Sequence, residues 1–87
     1  FNSPNILNKK ILDPSCGDGR FLLKIAERII KYSPKEKLVE NLENIYGWDI
    51  DDIAIQKAIY QLNKLIEPFN IIVNWNIEKV NSLYKAI

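Results

Sequence analysis

The chain has 87 residues, twelve of them Lys or Arg and eleven Asp or Glu, for a formal net charge of +1. That length holds one small domain at most, and so even a charge balance argues neither for nor against a nucleic-acid partner. A single cysteine excludes an internal disulfide and suits a reducing, cytoplasmic setting; no apolar run approaches the roughly 18 residues of a membrane span, and no signal-peptide pattern is present.

Residues 1–8 carry Ser, Pro and three Asn and read as an irregular lead-in. The first residue is not Met, so a fragment or a processed product is expected. Residues 10–12 form a short strand candidate. From 20 to 32, Leu22, Ile25, Ala26, Ile29 and Ile30 recur at helical spacing, with Lys24, Glu27, Arg28 and Lys31 on the other side. Ser33-Pro34-Lys35-Glu36 matches a capping box with Pro at the first helical position, predicting a short helix through Leu38, Val39 and Leu42. Residues 44–49 are the second strand. Asp51 or Asp52 caps the next helix, whose apolar face is Ile55, Ile59, Leu62 and Ile66, and Pro68 stops it. A third strand is expected within residues 71–77, where β-branched residues cluster beside Trp75. Beyond it, Val80, Leu83, Tyr84 and Ile87 recur at helical spacing. The alternation predicts an α/β fold: a three-stranded parallel sheet with helices, a partial Rossmann-like domain.

The informative segment is Ile11-Leu12-Asp13-Pro14-Ser15-Cys16-Gly17-Asp18-Gly19-Arg20-Phe21. It reads as a strand ending in an acid, a glycine turn and a helix start. Gly17 and Gly19 can take positive φ and admit a ligand close to the backbone, and a helix start offers N–H groups. A dinucleotide site wants a third glycine, where this chain has Leu22. An acid at Asp13 would repel a pyrophosphate but suits a cationic group. S-adenosylmethionine, with a sulfonium and an ammonium, fits that charge better. In Gly47-Trp48-Asp49-Ile50-Asp51, Asp49 ends the second strand, where it can accept from both ribose hydroxyls while Ile50 packs on an adenine face.

Asp13-Pro14-Ser15-Cys16-Gly17-Asp18-Gly19-Arg20-Phe21 resembles the D-P-x-C-G-x-G-x-F motif of the amino-group DNA methyltransferases, mainly adenine-N6 enzymes of restriction–modification systems. Tyr46-Gly47-Trp48-Asp49-Ile50-Asp51 is similar to that family's G-x-D-I-D motif. The resemblance covers these two short segments, in the right order. It implies that Asp13, Ser15, Cys16, Gly17 and Gly19 hold the methionine part of S-adenosylmethionine, with Phe21 beside them. It implies that Asp49 binds the ribose and Ile50 covers the adenine. The family's third acid, in a D-[SF]-L context, is matched by Asn81-Ser82-Leu83, where the Asn81 carbonyl can still accept from the adenine amino group.

The family's catalytic [ND]-P-P-[YF] loop does not occur in these 87 residues. In the family that loop holds the target amine of a flipped base, so the chain is expected to be the cofactor half of a catalytic domain, inactive by itself. DNA would be contacted by other parts of the parent protein. A cofactor site serving RNA, protein or a small molecule is one alternative, and a non-enzymatic α/β interaction domain is another. Cys16 reads as a small apolar turn residue rather than a nucleophile, since the chain has no His. Trp48 and Trp75 read as packing residues. A half-domain should leave apolar surface open at Leu12, Ile45 or the helix faces, and self-association is the expected consequence.

Overall fold

Strand, turn and helix follow one another twice along the described residues, and a third strand returns to the same sheet. The computed structural model describes residues 9–80. Asn81 and the helical spacing that ends at Ile87 lie outside them. β1 (Ile11–Asp13) leads through the glycine turn to α1 (Arg20–Tyr32). A 3₁₀ turn at Lys35–Lys37 continues into α2 (Leu38–Leu42), then come β2 (Ile45–Asp49), α3 (Asp52–Ile66), a second 3₁₀ turn at Glu67–Phe69 and β3 (Asn76–Lys79). The sheet is parallel, in the order β1-β2-β3. Ile11 lies opposite Ile45, Asp13 opposite Gly47, and Tyr46 opposite Asn76. Because the strands are parallel, their carboxyl ends share one edge, and both strand-to-helix turns leave from it.

Side-chain alternation divides the sheet. Ile11, Ile45 and Ile77 join the main core with Leu22, Ile25 and Ile29 of α1, Leu38 and Leu42 of α2, and Ile55, Ala58, Leu62 and Ile66 of α3. Leu22, Leu42, Ile45 and Leu62 are fully buried, each contributing about 1.5–3 kcal/mol. The exposed pairs Lys37–Glu40 and Lys79–Asp52 contribute about 0–1 kcal/mol apiece, so core burial, not ion pairing, holds the fold. On the other face, Leu12, Tyr46 and Trp48 line a shallow cavity of about 270 Å³ with Lys10 and Ile11. Leu12 is 39% exposed, as expected, but Ile45 is completely buried under the helices, so it contributes no open surface.

Helix limits agree with the apolar spacing where the signal is local. α1 buries Leu22, Ile25, Ala26 and Ile29, and Asp51 caps α3 by accepting from the Ile53 N–H at 2.9 Å. Two expectations need correction. Ser33 does not open a capping box; it closes α1, donating its N–H to the Ile29 carbonyl at 2.8 Å. Its hydroxyl instead accepts from Asn41 Nδ2 at 2.9 Å, tying α2 back to the end of α1. The third strand also overlaps residues 71–77 only at its start, running from Asn76 to Lys79. Val73 is buried, and Ile71 and Trp75 pack on the core, as loop residues. Glu43 holds this loop, accepting from the Asn74 N–H at 3.0 Å and, by its carbonyl, from Asn76 Nδ2 at 2.7 Å. Trp75 packs as expected and donates to Asn63 at 2.7 Å. Trp48 is buried likewise.

Candidate functional site at the glycine turn

The turn between β1 and α1 stands at the carboxyl edge of the sheet, where open α/β sheets bind ligands. Gly17 has φ 55° and Gly19 φ 88°, both left-handed. A Cβ added at Gly17 would meet nothing within 4 Å, whereas one at Gly19 would lie 2.9 Å from Ala58 Cβ. The two glycines therefore divide the work expected of both. Gly17 faces open space, and Gly19 lets the turn pack against α3. Gly47 lacks a side chain for a similar reason: its Cβ would stand 2.8 Å from Leu22 Cδ1 and 3.2 Å from Cys16 Cβ. Its place inside a strand is the signal for such a close approach.

Asp49 is half-buried at the end of β2. Its Oδ2 accepts from the Gly17 N–H and its Oδ1 from the Asp51 N–H, both at 2.9 Å. The Asp51 N–H above all, then those of Gly17 and Ile50, hold its carboxyl below the usual carboxylate range, against an opposing effect of burial. The Cys16 N–H adds a second link to β2, donating to the Trp48 carbonyl at 2.9 Å. Asp13 Oδ1 accepts from the Ser15 N–H at 3.1 Å. The Gly19 N–H donates to the Cys16 carbonyl at 3.0 Å and the Arg20 N–H to Asp18 Oδ1 at 3.3 Å. The N–H groups of Ser15, Cys16, Gly17, Gly19 and Arg20 are thus spent within the chain. Beside these bonds the turn sets the Asp13 and Asp49 carboxylates next to the open space at Gly17.

The structure brings Asp13, Ser15, Cys16, Gly17 and Gly19 together with Asp49 at this edge. Ile50 is 62% exposed beside Asp49. Phe21 is 42% exposed at the start of α1, where with Lys24, Ile25 and Arg28 it lines a cavity of about 160 Å³ along the helix. Asn81 lies outside the described residues. Two residues of the assembly were not legible in sequence. Gln61 Nε2 donates to the Asp18 carbonyl at 3.0 Å, and Ala58 packs under Gly19. Nothing local marks Gln61, since its partner is 43 positions away.

Cys16 is buried, and its thiol is pushed up from an ordinary 9.0 to about 11, first by burial and then by Asp49 and Asp13. It is an inert thiol at neutral pH. The unfolded chain ionises first as pH rises, so the thiol's contribution to stability is whole below about 9 and is lost as pH rises to about 11. Alkylation of the native chain at pH 8 should run at least roughly a hundredfold slower than that of the unfolded chain, since the thiolate fraction falls by that factor. Equal rates would contradict the buried placement.

No protein-family model matches this chain. Part of it is similar to a Methanocaldococcus jannaschii protein named "Putative type II restriction enzyme and methyltransferase": 36% identity over 66 aligned residues, covering 61% of this chain and 6% of that protein. The chain thus spans a small fraction of that relative's length. No helix among the described residues is long and apolar enough to cross a membrane.

Proposed function

We propose that this chain is the S-adenosylmethionine-binding portion of a DNA methyltransferase of restriction–modification type, acting on adenine N6. One observation carries the reading: the N–H groups of Ser15, Cys16, Gly17, Gly19 and Arg20 are bonded within the chain, and the turn sets the Asp13 and Asp49 carboxylates beside an open glycine. An anion-binding turn is built the other way, with N–H groups aimed at phosphate. A cofactor with two positive centres and no phosphate suits the donor set here. Likeness to a relative named for restriction and methylation adds support.

In this reading Asp13 keeps Oδ2 for the ammonium group, and Gly17 provides the close approach. Each oxygen of Asp49 accepts one N–H and retains capacity for a ribose hydroxyl. Ile50 covers the adenine, Phe21 lines the methionine side and Asn81 accepts from the adenine amino group. The transferable methyl group is what the cofactor supplies when bound. DNA is held by other parts of the parent protein.

The test is a titration of the 87-residue chain with S-adenosylmethionine, S-adenosylhomocysteine, ATP and NAD. Weak binding of the first two and none of the last two is expected. ATP or NAD binding as well as the methionine cofactor would overturn the charge argument. No methyl transfer to unmodified DNA is expected from the isolated chain, which lacks the amine-holding P-P-[YF] loop. Turnover beyond one methyl group per chain, measured with labelled cofactor, would contradict this.

A further inference from the structure

We infer that Gln61, on α3, is a positioning residue for the glycine turn: it locks the peptide between Asp18 and Gly19 in the orientation that the cofactor site requires. The inference rests on the cofactor reading above and extends it to a residue remote in sequence.

The peptide in question joins Asp18 to the left-handed Gly19, and glycine resists rotation about its backbone bonds less than any other residue. A flip of this peptide would exchange the places of its carbonyl and its N–H. The carbonyl would leave α3, and the Gly19 N–H would leave the Cys16 carbonyl that it now meets at 3.0 Å. The turn would then present a different set of atoms to a ligand.

The Gly19–Cys16 bond opposes that flip from the N–H end, and three further residues hold the turn around it. Asp49 grips the turn on its β2 side through the Gly17 N–H. Ala58 packs under Gly19 and fixes its height above α3. Neither reads the direction of the Asp18 carbonyl. Gln61 does, because its Nε2 donates to that oxygen at 3.0 Å from a partly buried position. An apolar side chain of the same length would fill the space without choosing between the two orientations. A partly buried carbonyl left without its donor would also favour the flip.

Three variants test this: Gln61→Met keeps the length and removes the donor, Gln61→Glu places an acceptor against the carbonyl, and Gln61→Lys keeps a donor. Two readouts are taken on the 87-residue chain: affinity for S-adenosylhomocysteine and the hydrogen-exchange rate of the Gly19 amide. Gln61→Met should lose about threefold to tenfold in affinity, the value of one hydrogen bond, with a fall in melting temperature of a few degrees. Gln61→Glu should lose more, and Gln61→Lys should recover most of the loss. Gly19 should exchange about tenfold faster in the Met and Glu variants, since its own bond to Cys16 is released when the peptide turns. Wild-type affinity in Gln61→Met, or unchanged Gly19 exchange in both the Met and Glu variants, would overturn the inference. If the wild-type chain binds no S-adenosylhomocysteine, the cofactor reading fails. The Gly19 exchange rate then still decides whether Gln61 locks the peptide.

Discussion

Asp49→Ala should abolish S-adenosylmethionine binding and loosen the turn at the same time. The carboxylate clamps the Gly17 and Asp51 N–H groups at 2.9 Å each and, in the proposed site, accepts from both ribose hydroxyls. Hydrogen bonds to a charged group are worth about 1.5–3 kcal/mol when shielded. This one is partly open to water, so the stability loss should be smaller, about 1 kcal/mol. The binding loss combines two ribose bonds with a slackened turn and should reach about a hundredfold or more. Asp49→Asn should bind almost as poorly, because its NH₂ would face one of the two backbone donors. The sign of the pH effect follows from the lowered carboxyl. The clamp's contribution is present above the ordinary aspartate value of about 3.9 and is lost as pH falls through the lower folded value. Calorimetric titration and urea unfolding of the same variants separate the two effects. Undiminished affinity in Asp49→Ala would remove the ribose assignment.

The largest effect on folding is expected at Gly19. An alanine there carries a left-handed φ of 88° and a Cβ 2.9 Å from Ala58 Cβ and 3.0 Å from Ala58 Cα. Left-handed strain costs about 1–2 kcal/mol and overpacking a further 1–3 kcal/mol or so. A total of about 2–5 kcal/mol is a large share of the roughly 5–15 kcal/mol that a domain has, and more for one this small. Gly19→Ala should therefore be substantially unfolded at 25 °C by circular dichroism. Gly17→Ala provides the contrast. It meets nothing within 4 Å at φ 55°, so it should stay folded at a cost of about 1–2 kcal/mol. Its methyl group occupies the space assigned to the ligand, and affinity should fall sharply. A folded Gly19→Ala would show that the turn does not pack on α3, and full affinity in Gly17→Ala would show that the ligand does not approach there.

The sequence by itself determined what depends on near neighbours. Apolar spacing set α1 at Arg20–Tyr32 as expected, Asp51 was readable as the cap of α3, and the acid–glycine turn after β1 was readable as the start of α1 and as the candidate site. Period and capping act over about four residues, so one sequence window contains the whole cause. Tertiary structure decided what depends on residues far apart. β3 begins at Asn76 and not at Ile71, because it pairs in register with β2 while Val73 is spent on the core. Ser33, extended before Pro34, closes α1, and only the fold brings Asn41 back to its hydroxyl. The division between Gly17 and Gly19 depends on Ala58, and the turn's orientation depends on Asp49, 32 positions from Gly17, and on Gln61, 43 from Asp18. These partners meet only once burial of Leu22, Ile45 and Leu62 has brought α1, β2 and α3 together. Hydrogen bonds across such distances return little until the core has offset the entropy of closing the chain, and so they leave no local mark in the residues that make them.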